Sequence, residues 1–139
     1  SQKINQPLFN TWSGFAYERV CMQHIEQIKQ AIGISGIASS VFSWQYTPKN
    51  GNEKGTQIDM LIDREDRTIN LCEIKYNQGE YEITEAYDKV LREKLSIFQQ
   101  VTKTKKGVSL LMITSYGLKR NQWANNIHIQ LTMDDLFAL

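Results

Sequence analysis

The stretch Gln57–Tyr76, QIDMLIDREDRTINLCEIKY, decides the fold. Its two halves, Gln57 to Arg64 and Thr68 to Tyr76, are rich in β-branched and aliphatic residues. The polar Glu65-Asp66-Arg67 between them has turn character, so the pair predicts a β-hairpin. In a strand, side chains two apart share a face. Glu73 and Lys75 therefore project from one side of the second strand, and Gln57, Asp59, Leu61 and Asp63 from one side of the first. Once the hairpin closes, Asp59 and Glu73 can converge with Lys75 beside them. The apolar flanks, Ile69 to Cys72 and Ile74, mark the second strand as buried. Two carboxylates and a lysine inside a sheet are costly to desolvate unless they serve each other or a bound ion.

Outward from the hairpin, Thr47 to Gly55 (TPKNGNEKG) is a turn by composition, and Ile37 to Tyr46 before it reads as a strand. Ahead of that strand a helix is predicted from Ser13 to Ile32. Ser13 would be its N-cap and Gly33 its stop, with Cys21, Ile25, Ile28 and Ile32 at helical spacing. Residues 1–10 read as an irregular lead-in, the edge of a larger protein. After the hairpin, Asn77 to Gly79 breaks the chain and Glu80 to Ile83 can be extended. A long amphipathic helix follows from Glu85 to Thr102, its buried stripe supplied by Leu91, Leu95 and Phe98. Val108 to Thr114 (VSLLMIT) is apolar almost throughout, as in a strand covered on both faces. The tail is expected to hold an irregular connection, a strand at Ile127 to Leu131 and a helical turn at Asp134 to Leu136. The order α-β-β-β-α-β predicts an α/β (α+β) domain: one mixed sheet flanked by helices.

The totals narrow the function classes. The 139 residues suit a single domain, and 41% hydrophobic with 22% charged residues are ordinary globular values. No stretch approaches the roughly 20 apolar residues of a membrane span, and the start lacks a secretory signal. The two cysteines, far apart and set among apolar residues, imply small core residues and a reducing cytoplasm, not a disulfide or zinc framework. A formal charge of +1 does not announce a nucleic-acid binder, so function rests on a site.

Carboxylate oxygens are what Mg²⁺ or Mn²⁺ prefers. Such an ion polarises a phosphoryl oxygen and generates a nucleophile from bound water, and a neighbouring lysine can orient that water or offset developing charge. Glu18 adds an independent clue. It lies at the start of the Cys21, Ile25, Ile28, Ile32 stripe, whereas Glu26 and Lys29 belong to the exposed face. A carboxylate on the buried face is poised to reach the strand carboxylates.

A helix glutamate, then Gly55-x-Gln57-Ile58-Asp59, then Glu73-Ile74-Lys75 resembles the PD-(D/E)xK nuclease-like superfamily, which includes restriction endonucleases and archaeal Holliday-junction resolvases. More narrowly, Trp12-Ser13-Gly14-Phe15, Gly55 to Asp59, Asp63-Arg64 and Ile69 to Lys75 resemble the C-terminal domain of a bacterial and archaeal ATPase family. There the domain follows an AAA-type ATP-binding domain. The likeness runs from Pro7 to Phe137 and implies a restriction-endonuclease-like core.

That resemblance also implies roles. Asp59 and Glu73 would bind Mg²⁺ or Mn²⁺, joined by the main-chain carbonyl of Ile74. Lys75 would be the catalytic lysine, Glu18 would hold the metal through water or bind a second ion, and Gln57 would touch substrate. The proline of the superfamily's motif is absent, since Ile58 precedes Asp59, and no GxxxxGK[ST] phosphate loop occurs. The expected function is metal-dependent hydrolysis of nucleic acid, DNA foremost, beside an ATPase domain. The alternative is a non-catalytic interaction or regulatory module of that ATPase.

Other residues carry lesser expectations. Asp63 is either a further ligand or a partner of Arg64 or Arg67. His24 and His128 belong to no ligand-spaced cluster and read as surface or structural. Trp12, Trp44 and Trp123 read as core or interface anchors. Lys103, Lys105 and Lys106, with Lys119 and Arg120, form either a phosphate-binding rim or an ordinary solvated surface.

Overall fold

The computed structural model describes residues 6–138. Ten elements follow one another: α1 (Gln6–Gln23), α2 (Ile25–Ala31), β1 (Ser39–Tyr46), β2 (Thr56–Arg64), β3 (Thr68–Lys75), α3 (Glu85–Thr102), β4 (Gly107–Thr114), a 3₁₀ turn at Ala124–Asn126, β5 (Ile129–Leu131) and α4 (Met133–Leu136). The five strands form one sheet in the order β1-β2-β3-β4-β5. β1, β2 and β3 are antiparallel neighbours, while β3, β4 and β5 run parallel. The mixed sheet with helices on its faces is the α+β architecture that the sequence predicts.

Two apolar layers cover the sheet. On one side Tyr17, Cys21 and Ile28 of the first two helices and Leu136 of α4 pack on Met60, Ile62, Cys72, Ile74, Leu111 and Ile113. On the other, Phe98 of α3 packs on Ile58, Leu61, Ile69, Leu71 and Leu110. A third cluster joins Leu91 of α3 to Ile83, Met112, Leu118, Ala124 and Ile127. β3 and β4 thus sit between apolar faces, which explains the near-continuous hydrophobicity of both strands.

Helix α3 has the bounds that the sequence predicts. Thr84 caps it, its hydroxyl accepting the Tyr87 N–H at 3.1 Å, and Lys103 ends it in the left-handed region at φ 52°. The first helix differs from expectation. Of the expected lead-in at residues 1–10, residues 1–5 lie outside the described residues, and the chain is helical from Gln6 onward, so residues 6–10 are no irregular lead-in and Ser13 is buried within α1 instead of capping it. The continuous run to Ile32 breaks at His24, whose Nδ1 lies 2.7 Å from the Val20 carbonyl oxygen. Lys29, expected on the exposed face, is buried, because α2 restarts after that break. Ile127 closes the 3₁₀ turn, and the last strand begins two residues later than predicted.

β2 carries an irregularity that the sequence does not announce. Phe42 pairs with Leu61 and Trp44 with Ile58, so β2 spends one residue more than β1 over this interval. Ile58 and Leu61, three apart, consequently pack in the same layer against Phe98. The expected alternation of Gln57, Asp59, Leu61 and Asp63 on one face is broken at Asp59.

At the neck of the β1–β2 hairpin, a Cβ on Gly55 would stand 2.6 Å from the Tyr46 main-chain oxygen and 3.0 Å from Pro48 Cδ. Gly55→Ala is therefore expected to lower unfolding free energy by about 1–3 kcal/mol through overpacking. Gly51→Ala, with open space around it, should stay within about 0.5 kcal/mol. Urea denaturation of the two variants checks this contrast.

Candidate active site

The β2–β3 ladder runs from Asp63↔Ile69 to Met60↔Cys72 and goes no further. Beyond it the two strands part, and their next backbone groups lose their ladder partners. Side chains replace those partners. Asp59 Oδ2 accepts the Ile74 N–H at 2.9 Å, and Glu73 Oε2 accepts the Asp59 N–H at 3.1 Å. Each carboxylate thus crosses the gap to the opposite strand, and bonds of this charge-assisted kind fix both side chains firmly. The N–H and C=O of a strand residue point the same way, so the Ile74 carbonyl faces the gap as well.

Glu73 is 2% exposed. Its Oε1 lies 2.8 Å from Lys94 Nζ of α3, and that ammonium also donates to the main-chain oxygen of Gln57. Burial, then the charge of Asp59, raise the Glu73 pKa, with Lys94 acting in the opposite sense. Lys75 shares the Glu73 face, as the two-residue spacing predicts, and its Nζ stands 4.9 Å over the ring of Tyr87 on α3. The Tyr87 hydroxyl faces Glu73 at a geometry that forms no hydrogen bond, and it is buried without a partner among the described residues.

Glu18 reaches the pair from the other layer. Tyr17 beside it donates its hydroxyl to the Thr114 carbonyl at 2.8 Å, which ties α1 to β4. The Glu18 carboxyl meets Asp59. Burial first, then the Asp59 charge and a hydrogen bond shared with Asp59, then Glu73, raise its pKa from 4.5 to about 7, while Lys75 opposes this. The same field, after burial, pushes the Cys21 thiol up to about 12, which makes it an inert core group.

Asp59, Glu73, Glu18 and Lys75 therefore share one neighbourhood, and Ile74 turns its main chain into it. Gln57 is different: its side chain is exposed, and its main-chain oxygen is what contacts Lys94. Asp63 lies at the far end of β2 and pairs with Lys106 at 2.6 Å, not with Arg64 or Arg67. Arg64 instead holds Asp66 and Asn70. His128 is structural, its Nδ1 accepting the Leu110 N–H at 2.8 Å. Trp44 packs on Phe98, whereas Trp12 is exposed.

The donor chemistry suits a hard divalent cation: three carboxylates, two of them with raised pKa values, and a main-chain carbonyl. A cation would offset the burial and, after it, the mutual repulsion that raise those values. Among the described residues, however, no three acidic, thiol or imidazole groups converge tightly enough to enclose an ion. Lys94 holds one Glu73 oxygen instead. A groove of about 630 Å³ between Tyr46, Glu53, Lys54 and α3 includes none of these carboxylates.

Sequence reading missed Lys94 and Tyr87. The signal lay in the helical period, because Tyr87, Leu91, Lys94 and Phe98 recur at steps of four, three and four and so share the inward face of α3.

A family model described as archaeal and bacterial proteins of unknown function matches residues 1–86. The crystal structure of AF1548, a protein of unknown function, matches with a TM-score of 0.52 and 12% identity over 83% of this chain and 56% of that one. That likeness is one of fold alone, and this chain spans little more than half the length of that protein. No curated protein matches. Among the described residues no helix is long and apolar enough to cross a membrane.

Glu18 supplies a pH test. Its folded pKa of about 7 lies above the ordinary 4.5, so the stabilisation it contributes is full below about pH 4.5 and is lost as pH rises through about 7. Thermal midpoints across that window should fall more for the wild type than for Glu18→Gln. In ¹³C NMR, Asp59→Asn should move the Glu18 titration down toward its ordinary value, since the opposing charge is gone.

Proposed function

We propose that this chain, which belongs to the DUF234 family of archaeal and bacterial proteins of unknown function, is a metal-dependent nuclease domain of the PD-(D/E)xK kind. The observation that carries this reading is the crossed pair at the end of the β2–β3 ladder. Asp59 and Glu73 are each held by the other strand's main chain, with Glu18 and Lys75 beside them. A structural ion pair would need neither three carboxylates nor a lysine left free of carboxylate contact. Metal-assisted hydrolysis of a phosphodiester can use both.

Asp59, Glu73 and the Ile74 carbonyl would hold Mg²⁺ or Mn²⁺, with Glu18 acting through water or on a second ion. When bound, the ion supplies Lewis-acid polarisation of a phosphoryl oxygen and an acidified water. The chain's own residues do the rest. Lys75, steadied over the Tyr87 ring, orients the water or offsets charge on the phosphoryl oxygens. Glu18, whose pKa is raised to about 7 by burial and by Asp59, could in its ionised form accept a proton from that water. The substrate class is nucleic acid, DNA foremost, and an AAA-type ATPase domain is the partner that the motifs suggest.

A second reading has its own support. Lys94 already neutralises Glu73, and Leu8, Trp12 and Phe15, spaced four and three apart on α1, are each more than 60% exposed. A non-catalytic module docking on an ATPase domain through α1 would look like this.

Mn²⁺ titration with NMR paramagnetic broadening discriminates the two. The nuclease reading expects broadening around Asp59, Glu73 and Ile74 that Asp59→Asn abolishes. It also expects metal-dependent cleavage of a labelled DNA duplex that Lys75→Ala slows by about 100-fold or more. Broadening nowhere, or equal cleavage by wild type and both variants, leaves the docking module as the better account.

A further inference from the structure

We propose that Lys94 competes with the divalent cation for Glu73, so that the ammonium of α3 must leave this carboxylate when an ion binds. The inference rests on the metal-site reading above and adds a residue that the motifs do not contain. Glu73 Oε2 is tied to the main chain by the Asp59 N–H, which leaves Oε1 as the oxygen open to an ion. Oε1 is also the oxygen that Lys94 holds, at 2.8 Å, with its own side chain only 16% exposed. A monovalent and a divalent cation cannot share one oxygen in so dry a place without strong repulsion.

The surroundings make displacement practicable. The second contact of Lys94, to the Gln57 main-chain oxygen, lies at the β2 end of the same gap. The ammonium can keep this contact while its four-carbon stem swings away from Glu73. Tyr87 presents a buried hydroxyl toward Glu73 that has no partner among the described residues. Once Lys94 moves, a small turn of Glu73 brings that donor into use, and an orphan hydroxyl is satisfied. Lys94 is in this sense a positioning residue: with Glu73 paired it keeps an otherwise repulsive carboxylate cluster together.

The test uses Mn²⁺ and Mg²⁺ alone, without nucleic acid. Lys94→Met keeps the apolar stem and removes the charge, and Lys94→Gln is a second variant should that one fold poorly. The proposal expects Lys94→Met to bind Mn²⁺ about ten-fold more tightly than wild type, the equivalent of one charge-assisted hydrogen bond. It also expects the Lys94 side-chain ¹⁵N resonance of the wild type to shift as Mg²⁺ saturates. Binding by Lys94→Met alone would support it equally. Equal or weaker Mn²⁺ binding by the variant, with Asp59→Asn still abolishing it, overturns the Lys94 proposal and leaves the metal reading standing. Absence of binding in wild type and both Lys94 variants overturns both.

Discussion

The parting of β2 and β3 after Met60↔Cys72 is the constraint around which this molecule is arranged. A sheet covered by helices on both faces offers no water to an unpaired backbone N–H, and an orphan there costs about 1–3 kcal/mol. Asp59 and Glu73 meet that demand by accepting the two amides themselves. The price is a pair of negative charges at the sheet's interior, and the neighbouring groups can be understood as responses to it. Lys94 neutralises one oxygen, Lys75 stands nearby over an aromatic face, and Glu73 and Glu18 hold their protons more tightly than in water.

The two helical layers deliver different chemistry to the same gap. α1 is clamped by Tyr17 to the Thr114 carbonyl and by Cys21 to the core, which sets Glu18 one residue from a fixed point. α3 is anchored by Leu91 and Phe98 in two separate apolar clusters, and Tyr87 and Lys94 ride on the same face. Acid therefore arrives from one side of the sheet, and base with hydroxyl from the other. The extra residue in β2 falls between Ile58 and Leu61, where Asp59 turns toward Glu18 and the β3 main chain.

The hairpin, the long helix α3 and the buried β4 were legible in the sequence because each follows from a short-range period: two for strands, 3.6 for helices. Glu73 and Glu18 were legible as polar residues on faces otherwise apolar, Lys75 by its two-residue spacing from Glu73, and Asp59 by its place opposite Glu73 in the hairpin. The break at His24 was not, because Ile25, Ile28 and Ile32 keep a helical period across it and no glycine or proline marks it. Nor was the bulge, which is defined by the pairing of Trp44 with Ile58 and so belongs to two strands at once. Lys94 was hidden by residue type: a lysine on the inward face of an amphipathic helix is easily assigned to solvent until its partner's burial is known.

The crossed carboxylates bear on how relatives of this chain would diverge. Asp59 and Glu73 finish a hydrogen-bond ladder, so a lineage that gave up chemistry would still be held to them by folding. Among the described residues no backbone amide depends on Lys75 or Glu18 in the same way. On the nuclease reading proposed above, relaxed selection would therefore show at positions 75 and 18 first, and retention of those two residues would be the sharper mark of a relative with that activity.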